Sequence, residues 1–175
     1  GSTGCWVTAL LHSSIGKKTV MAITGLGLFG FIVAHLAGNL QAFIPDGGKT
    51  MDEYSHMLKS KPVLLWGARL GLIAMALAHV ATAIRLALEN KAARPVKYQV
   101  KHWREAGYAS RTMMISGPLI LLYVIYHLLH FTTGHAHPTY PDFNHVTVYQ
   151  NMVRGFQSVP ASLVYIAAML LLGVH

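Results

Sequence analysis

Apolar residues along this chain gather into four blocks, Thr19–Ile44, Val63–Leu88, Thr112–Phe131 and Val159–His175, separated by shorter polar stretches. A bilayer core takes about 20 mainly apolar residues per helix, so each block predicts a membrane-spanning helix. The expected fold is an all-α transmembrane helical bundle, built as a single membrane domain over residues 1–175 with four spans visible. The last block reaches His175 without polar or basic residues to anchor it, which suggests a chain cut short. The opening "GSTGCWVTALLHSSIGKK" has no basic start followed by an apolar core and a cleavage site, so no signal peptide is expected.

Composition strengthens the membrane reading. The chain is 53% hydrophobic and 11% charged, against roughly 25% charged residues in ordinary globular proteins. Cys5 is the single cysteine, which leaves no internal disulfide, no CxxC clip and no CxxCH haem attachment. Any cofactor is therefore held without a thiolate.

A net charge of +8 is compatible with a nucleic-acid partner, but its distribution fits a membrane topology better. Lys17, Lys18, Arg85, Lys91, Arg94, Lys97, Lys101, Arg104 and Arg111 lie before the first block or around the loop between the second and third, against Glu89 and Glu105 alone. The other loops are roughly balanced. The positive-inside rule places the N-terminus and the Glu89–Ser110 loop in the cytoplasm. That loop reads first as a topology signal in contact with lipid headgroups; a docking face for a soluble partner is the sharper reading and is compatible with it. Trp6, Tyr98, Trp103 and Tyr108 sit where interfacial aromatics are expected, and "CWVTALLHSSIG" suits a short helix along the inner surface.

Each block also carries a deep histidine. At about 1.5 Å of rise per residue, His35 lies roughly 24 Å and His127 roughly 22 Å from the inner boundary, so both belong to an outer layer. His79 and His175 each lie roughly 24 Å from the outer boundary, in an inner layer. A lone intramembrane histidine is commonly a helix contact or a proton relay. Four in paired layers predict instead two bis-histidine b-type haems, His35 with His127 and His79 with His175, since two imidazoles at one depth can hold an iron from opposite sides. Gly25, Gly27, Gly30, Gly38, Gly67, Gly71 and Gly117 offer small contacts beside a wide macrocycle, or close helix packing.

Taken together, "SSIGKK", "TGLGLFGFIVAHLAGNLQAF", "LAHVATAIRLALENKAARPVKY" and "SRTMMISGPLILLYVIYHLLHF" resemble the dihaem cytochrome b558 family, the membrane-anchor subunits of succinate dehydrogenases and fumarate reductases. The likeness runs over nearly the whole chain from about Ser13. It implies the same four ligands, His35 in "AHLAGN", His79 in "LAHVATA", His127 in "SGPLILLYVIYH" and His175 at the chain end. It also implies a fifth helix after the fourth ligand, which this sequence does not contain.

The resemblance further implies a bacterial inner-membrane protein that does not itself oxidise succinate. FAD and the iron–sulfur clusters would reside on partner flavoprotein and iron–sulfur subunits, and this chain would exchange electrons with a membrane quinone, menaquinone in many dihaem members. No flavin or nucleotide fingerprint and no iron–sulfur cysteine set occurs here. Quinone reduction needs protons, for which His130, His56, Asp52 and Glu53 are candidates, with Asn39 and Gln41 as hydrogen-bond donors. Haem propionates want cationic or hydroxyl partners. Arg69 suits the outer side, and Ser14, Lys17, Arg85 and Arg111 the inner.

The outer loop "HFTTGHAHPTYPDFNH" carries His135, His137 and His145. It reads as a solvated loop shaped by Pro138 and Pro141 rather than a zinc or copper site. Two other classes compete with the main reading: a b561-type transmembrane cytochrome working without a flavoprotein, and a colourless transport or structural protein whose histidines relay protons or pack.

Overall fold

The computed structural model describes residues 13–93 and 108–175, with side chains in the second stretch from Thr112 onward. Among the described residues every regular element is helical. The first, α1 (Ser14–Leu40), starts where the Ser13 hydroxyl accepts the Gly16 N–H at 3.0 Å, filling one of the orphan donors of a helix start. It runs into a 3₁₀ turn, Gln41–Phe43, and stops short of Pro45, which has no N–H to continue it. A short amphipathic helix, α2 (Lys49–Lys59), leads to α3 (Pro62–Ala92), which opens on a proline where its missing N–H costs nothing. The third long helix, α4 (Tyr108–His127), continues as a π turn, Leu128–Thr132. A 3₁₀ turn, Asp142–His145, then precedes α5 (Val148–Phe156) and α6 (Val159–Val174).

Three of these segments, Ser14–Phe43, Pro62–Ala92 and Thr112–Thr132, are long and apolar enough to cross a membrane. A fourth would require α5 and α6 to act as one span, and they are bent by 96°. The expected fourth block therefore corresponds to α6 alone, whose 16 residues fall short of the about 20 that a core crossing takes. All three of the other long helices outrun their apolar blocks: α1 begins at Ser14 rather than Thr19, α3 extends to Ala92 rather than Leu88, and α4 begins at Tyr108 rather than Thr112. Capping and solvated helical turns extend an element beyond its hydrophobic stretch.

Burial is inverted relative to a water-soluble domain. Leu26, Phe29, Leu70, Leu77, Leu122 and Leu170 are all more than 60% exposed, whereas the most enclosed side chains are His130 and Ser116. Apolar surface on this scale is suited to lipid.

The chain divides into two compact units, Gly1–Phe43 with Glu53–Gln99, and Ile44–Asp52 with Val100–His175. The core of unit 1 is the pair α1 and α3. They are antiparallel, since Lys17 pairs with Glu89, Thr24 meets His79, and Gly27 faces Met75. The core of unit 2 is α4 with α6, also antiparallel: Ser116 meets His175, and His127 meets Tyr165.

The expected surface helix falls largely on residues 5–12, outside the described residues, and Ser13 and Ser14 instead cap and open α1. Trp6, Tyr98, Trp103 and most of the basic loop also lie outside them, as do the side chains of Tyr108 and Arg111.

Candidate functional site

The two units present their histidines in the same way. In unit 1, His79 on α3 approaches the step Thr24-Gly25 on α1, its Nδ1 3.2 Å from the Thr24 hydroxyl and 3.2 Å from the Met21 carbonyl. A Cβ on Gly25 would lie 3.2 Å from the His79 ring, so glycine lets the imidazole settle against the helix. In unit 2, His175 approaches Ser116-Gly117 on α4, its Nδ1 2.7 Å from the Ser116 hydroxyl, and a Cβ on Gly117 would lie 3.6 Å from the ring.

The second histidine of each unit stands eleven residues beyond the hydroxyl on the same helix, His35 after Thr24 and His127 after Ser116. Eleven residues of α-helix rise about 16 Å. Each unit therefore carries two imidazole layers with equal spacing. His35 stacks on Phe31 one turn earlier, with centroids 5.4 Å apart. Continuing the α1–α3 register brings Gly67 level with His35, and both Gly67 and Gly30 have nothing within 4 Å of a notional Cβ. Gly71 is equally open, whereas Gly38 is closed by Tyr54 at 3.1 Å.

Hydrogen-bond chemistry identifies which nitrogen of His79 carries the proton. A carbonyl can only accept, and the Thr24 hydroxyl donates to the Val20 carbonyl at 2.7 Å. Nδ1 of His79 is therefore the N–H, and Nε2 holds the lone pair that a metal requires. That donor set fits an iron-bound imidazole, which usually gives its other N–H to a protein acceptor.

His127 and His130 share one partner. The Tyr165 hydroxyl lies 3.1 Å from Nδ1 of His127 and 3.2 Å from Nδ1 of His130. The π turn, with its Thr133 N–H bonded to the Leu128 carbonyl five residues back, follows directly after His127 and contains His130. His130 is fully buried, with Phe131, His137 and Tyr126 ring centroids at 4.1, 5.0 and 5.3 Å. Its Nε2 has no hydrogen-bond partner among the described residues.

The remaining candidates scatter. Asp52 accepts the Tyr149 backbone N–H at 3.0 Å within unit 2, while Glu53 and His56 are exposed on the part of α2 belonging to unit 1. Asn39 is half-buried, and the side-chain oxygen of Gln41 is buried without a partner among the described residues. Arg69 lies over the Trp66 ring at 5.1 Å, half-buried. Lys17 is held by Glu89, and Ser14 and Arg85 are exposed.

The loop "HFTTGHAHPTYPDFNH" departs from the solvated form expected of it. His137 is buried, its Nε2–H donating to the Asn151 carbonyl at 2.8 Å and its Nδ1 accepting from Thr139. The Asn151 amide donates to the Phe143 carbonyl at 2.8 Å, and Gly134 adopts φ +77° with a Cβ position 2.4 Å from the Phe143 ring. No group of three or more metal-ligating side chains occurs among the described residues. Both nitrogens of His137 are already used.

Thr24, Ser116 and Tyr165 are partners that the sequence reading did not single out. For the first two a signal existed, the hydroxyl–glycine pair eleven residues before a histidine, present twice. For Tyr165 none did. No family model, curated protein or solved structure matches this chain.

Proposed function

We propose that this chain is the membrane-anchor dihaem cytochrome b subunit of a succinate:quinone oxidoreductase, passing electrons between an iron–sulfur partner subunit and a membrane quinone, menaquinone by the family resemblance. In this reading four spans cross a bacterial inner membrane with the N-terminus in the cytoplasm. His35 pairs with His127 at an outer haem b, and His79 with His175 at an inner one. The supporting observation is the repeated layer spacing, two imidazoles about 16 Å apart along a helix pair, in both units. Proton relay or packing gives no reason for the same interval to recur.

Haem, when bound, supplies one-electron transfer at a potential set by its axial ligands. The chain's own residues hold and tune it: His79 presents Nε2 while Thr24 and Met21 fix its Nδ1–H. Arg69 is the cationic candidate for an outer propionate. Toward the inside Ser14, Arg85 and Arg111 remain candidates, while Lys17 is already committed to Glu89.

Reducing a quinone to a quinol consumes two electrons and two protons. His130, with its buried Nε2, heads the proton-handling candidates. Asp52, Glu53 and His56 follow, with Asn39 and Gln41 as hydrogen-bonding groups. Electrons moving between inner and outer layers would cross part of the membrane field, worth about 2.3 kcal/mol per charge per 100 mV for a full crossing.

The test is a reduced-minus-oxidised spectrum of the purified protein, with haem quantified as pyridine haemochrome. Two b haems per chain are expected, with His35→Ala and His127→Ala losing the same one. A colourless protein overturns the proposal. A coloured protein that never co-purifies with flavin and iron–sulfur subunits moves it to the b561-type class.

A further inference from the structure

His137 is 4% exposed, yet it belongs to the segment between the π turn and α5 and carries a titratable ring. Histidine is the side chain whose charge ordinarily changes between about pH 5 and about pH 8. The partners of its two nitrogens decide which form the closed segment accepts. Nε2 lies 2.8 Å from the Asn151 carbonyl, which can only accept, so Nε2 carries a hydrogen. Nδ1 lies 3.1 Å from the Thr139 backbone N–H, which can only donate, so Nδ1 holds a lone pair. The Thr139 hydroxyl, 2.6 Å from Nδ1, turns to suit either form, but the backbone N–H does not. The closed segment therefore takes the neutral imidazole and leaves no place for a second ring hydrogen.

That ring ties three elements together. It bonds α5 through the Asn151 carbonyl, packs on Phe143 of the 3₁₀ turn with centroids 5.1 Å apart, and lies 5.0 Å from the His130 ring in the π turn. A Cβ on Gly155 would sit 2.9 Å from Nε2, so α5 admits the ring because that residue is glycine. His130, the titratable group in ring contact, is fully enclosed, with its Nε2 unpartnered among the described residues. On the 3₁₀ turn Asp142 and His145 are exposed, as are His135 and Tyr140 of the segment itself. On α5, Arg154 is exposed and Tyr149 packs against Gly48. Among the described residues no carboxylate pairs with His137, so a positive charge there would meet the Thr139 N–H and a second imidazole uncompensated.

We infer that His137 is an acid-released latch: neutral, it holds residues 134–146 closed over His130, and on taking a proton it lets go and uncovers the His130 Nε2. The open segment binds one proton more than the closed one. Closure is therefore complete above the imidazole range and weakens as pH falls through it. The latch needs only the residues named here and stands whether or not the chain carries haem. Under the functional reading above, it decides when a proton-handling candidate is open to exchange.

The experiment uses the full chain in detergent micelles between about pH 8 and about pH 5. Hydrogen exchange of peptides covering residues 134–147, expressed as protection against the intrinsic rate at each pH, follows closure. Carbethoxylation of His130 relative to exposed His145 by diethyl pyrocarbonate, located by mass spectrometry, follows uncovering. Below the transition protection should fall about tenfold per pH unit, the slope for one proton, while the labelling ratio rises. His137→Gln, whose amide donates and accepts without titrating, should keep both flat. His135→Gln should respond like wild type, and His130→Gln should retain the pH-dependent protection.

Protection that does not change with pH would overturn the inference. So would a His137→Gln protein that still responds, a His130→Gln protein that no longer does, or a labelling ratio that stays flat while protection falls. If His137→Gln does not accumulate, the triple variant His130→Gln/His135→Gln/His145→Gln decides in its place. A retained pH response there assigns the proton to His137, and its loss overturns the latch.

Discussion

Replacing Tyr165 by phenylalanine removes a single oxygen on which two histidines depend. The ring would remain, with its edge contacts to Phe156 at 4.9 Å and Tyr123 at 5.2 Å, so the change isolates the hydroxyl. Both bonds link α6 to α4 or its π-turn extension, at 3.1 Å to His127 and 3.2 Å to His130. Interhelical hydrogen bonds in membrane bundles average about 0.6 kcal/mol and reach about 1.7. Two of them therefore make about 1–3 kcal/mol. The upper half of that range is favoured because His130 is fully enclosed and has no water to replace the phenol. Unfolding in mixed micelles titrated with a denaturing detergent would measure it, and a cycle with His130→Phe would separate the His130 share from the His127 share. A Tyr165→Phe protein within about 0.3 kcal/mol of wild type, below the average for even one such bond, would refute the claim that the hydroxyl ties both imidazoles.

Two further outcomes follow from the loops. Gly134→Ala should destabilise the loop between the π turn and α5 by at least the about 1–2 kcal/mol of a left-handed backbone, because the new methyl would also meet the Phe143 ring; faster proteolysis between Thr132 and Val148 reads this out. The Asp46 carboxyl is held below its ordinary range by the Thr50 hydroxyl, with backbone N–H bonds from Thr50 and Gly48 adding to the effect. A depressed carboxylate contributes stability above its unfolded value and loses it as pH falls through its folded value. Protection of the Gly48 and Thr50 amides, measured against their intrinsic exchange rate at each pH, should therefore be lost only below the ordinary carboxylate range, and Asp46→Asn should abolish that change in protection.

The long helices were legible because their apolar runs have the length a bilayer dictates, and the eleven-residue interval from hydroxyl to histidine on α1 and α4 is written in the sequence itself. What the apolar pattern missed depends on polar atoms or on register. The start of α1 is set by one serine hydroxyl, five residues ahead of the apolar block. In "VYQNMVRGF" polar and apolar residues interleave at helical spacing, which hides α5 from any search for apolar runs, and its 96° bend to α6 is invisible in composition. The enclosure of His137 depends on Asn151 and Phe143 meeting from separate elements. Tyr165 is one aromatic within an apolar block, and only the pairing of α4 with α6 reveals what its oxygen touches.

The inversion of burial has a consequence for how this sequence can drift. In a water-soluble domain the intolerant positions are large apolar residues deep in the core. Here side chains such as Leu26 and Leu122 meet the surroundings instead, and fluid acyl chains reshape around whichever hydrocarbon is offered. Exchanges among leucine, isoleucine, valine and phenylalanine on those faces should be close to neutral. Selection is then concentrated on a handful of oxygen and nitrogen atoms, those of Thr24, Ser116, His130 and Tyr165 among them. Over long times two descendants could come to differ at most of their apolar positions and still share the same polar skeleton.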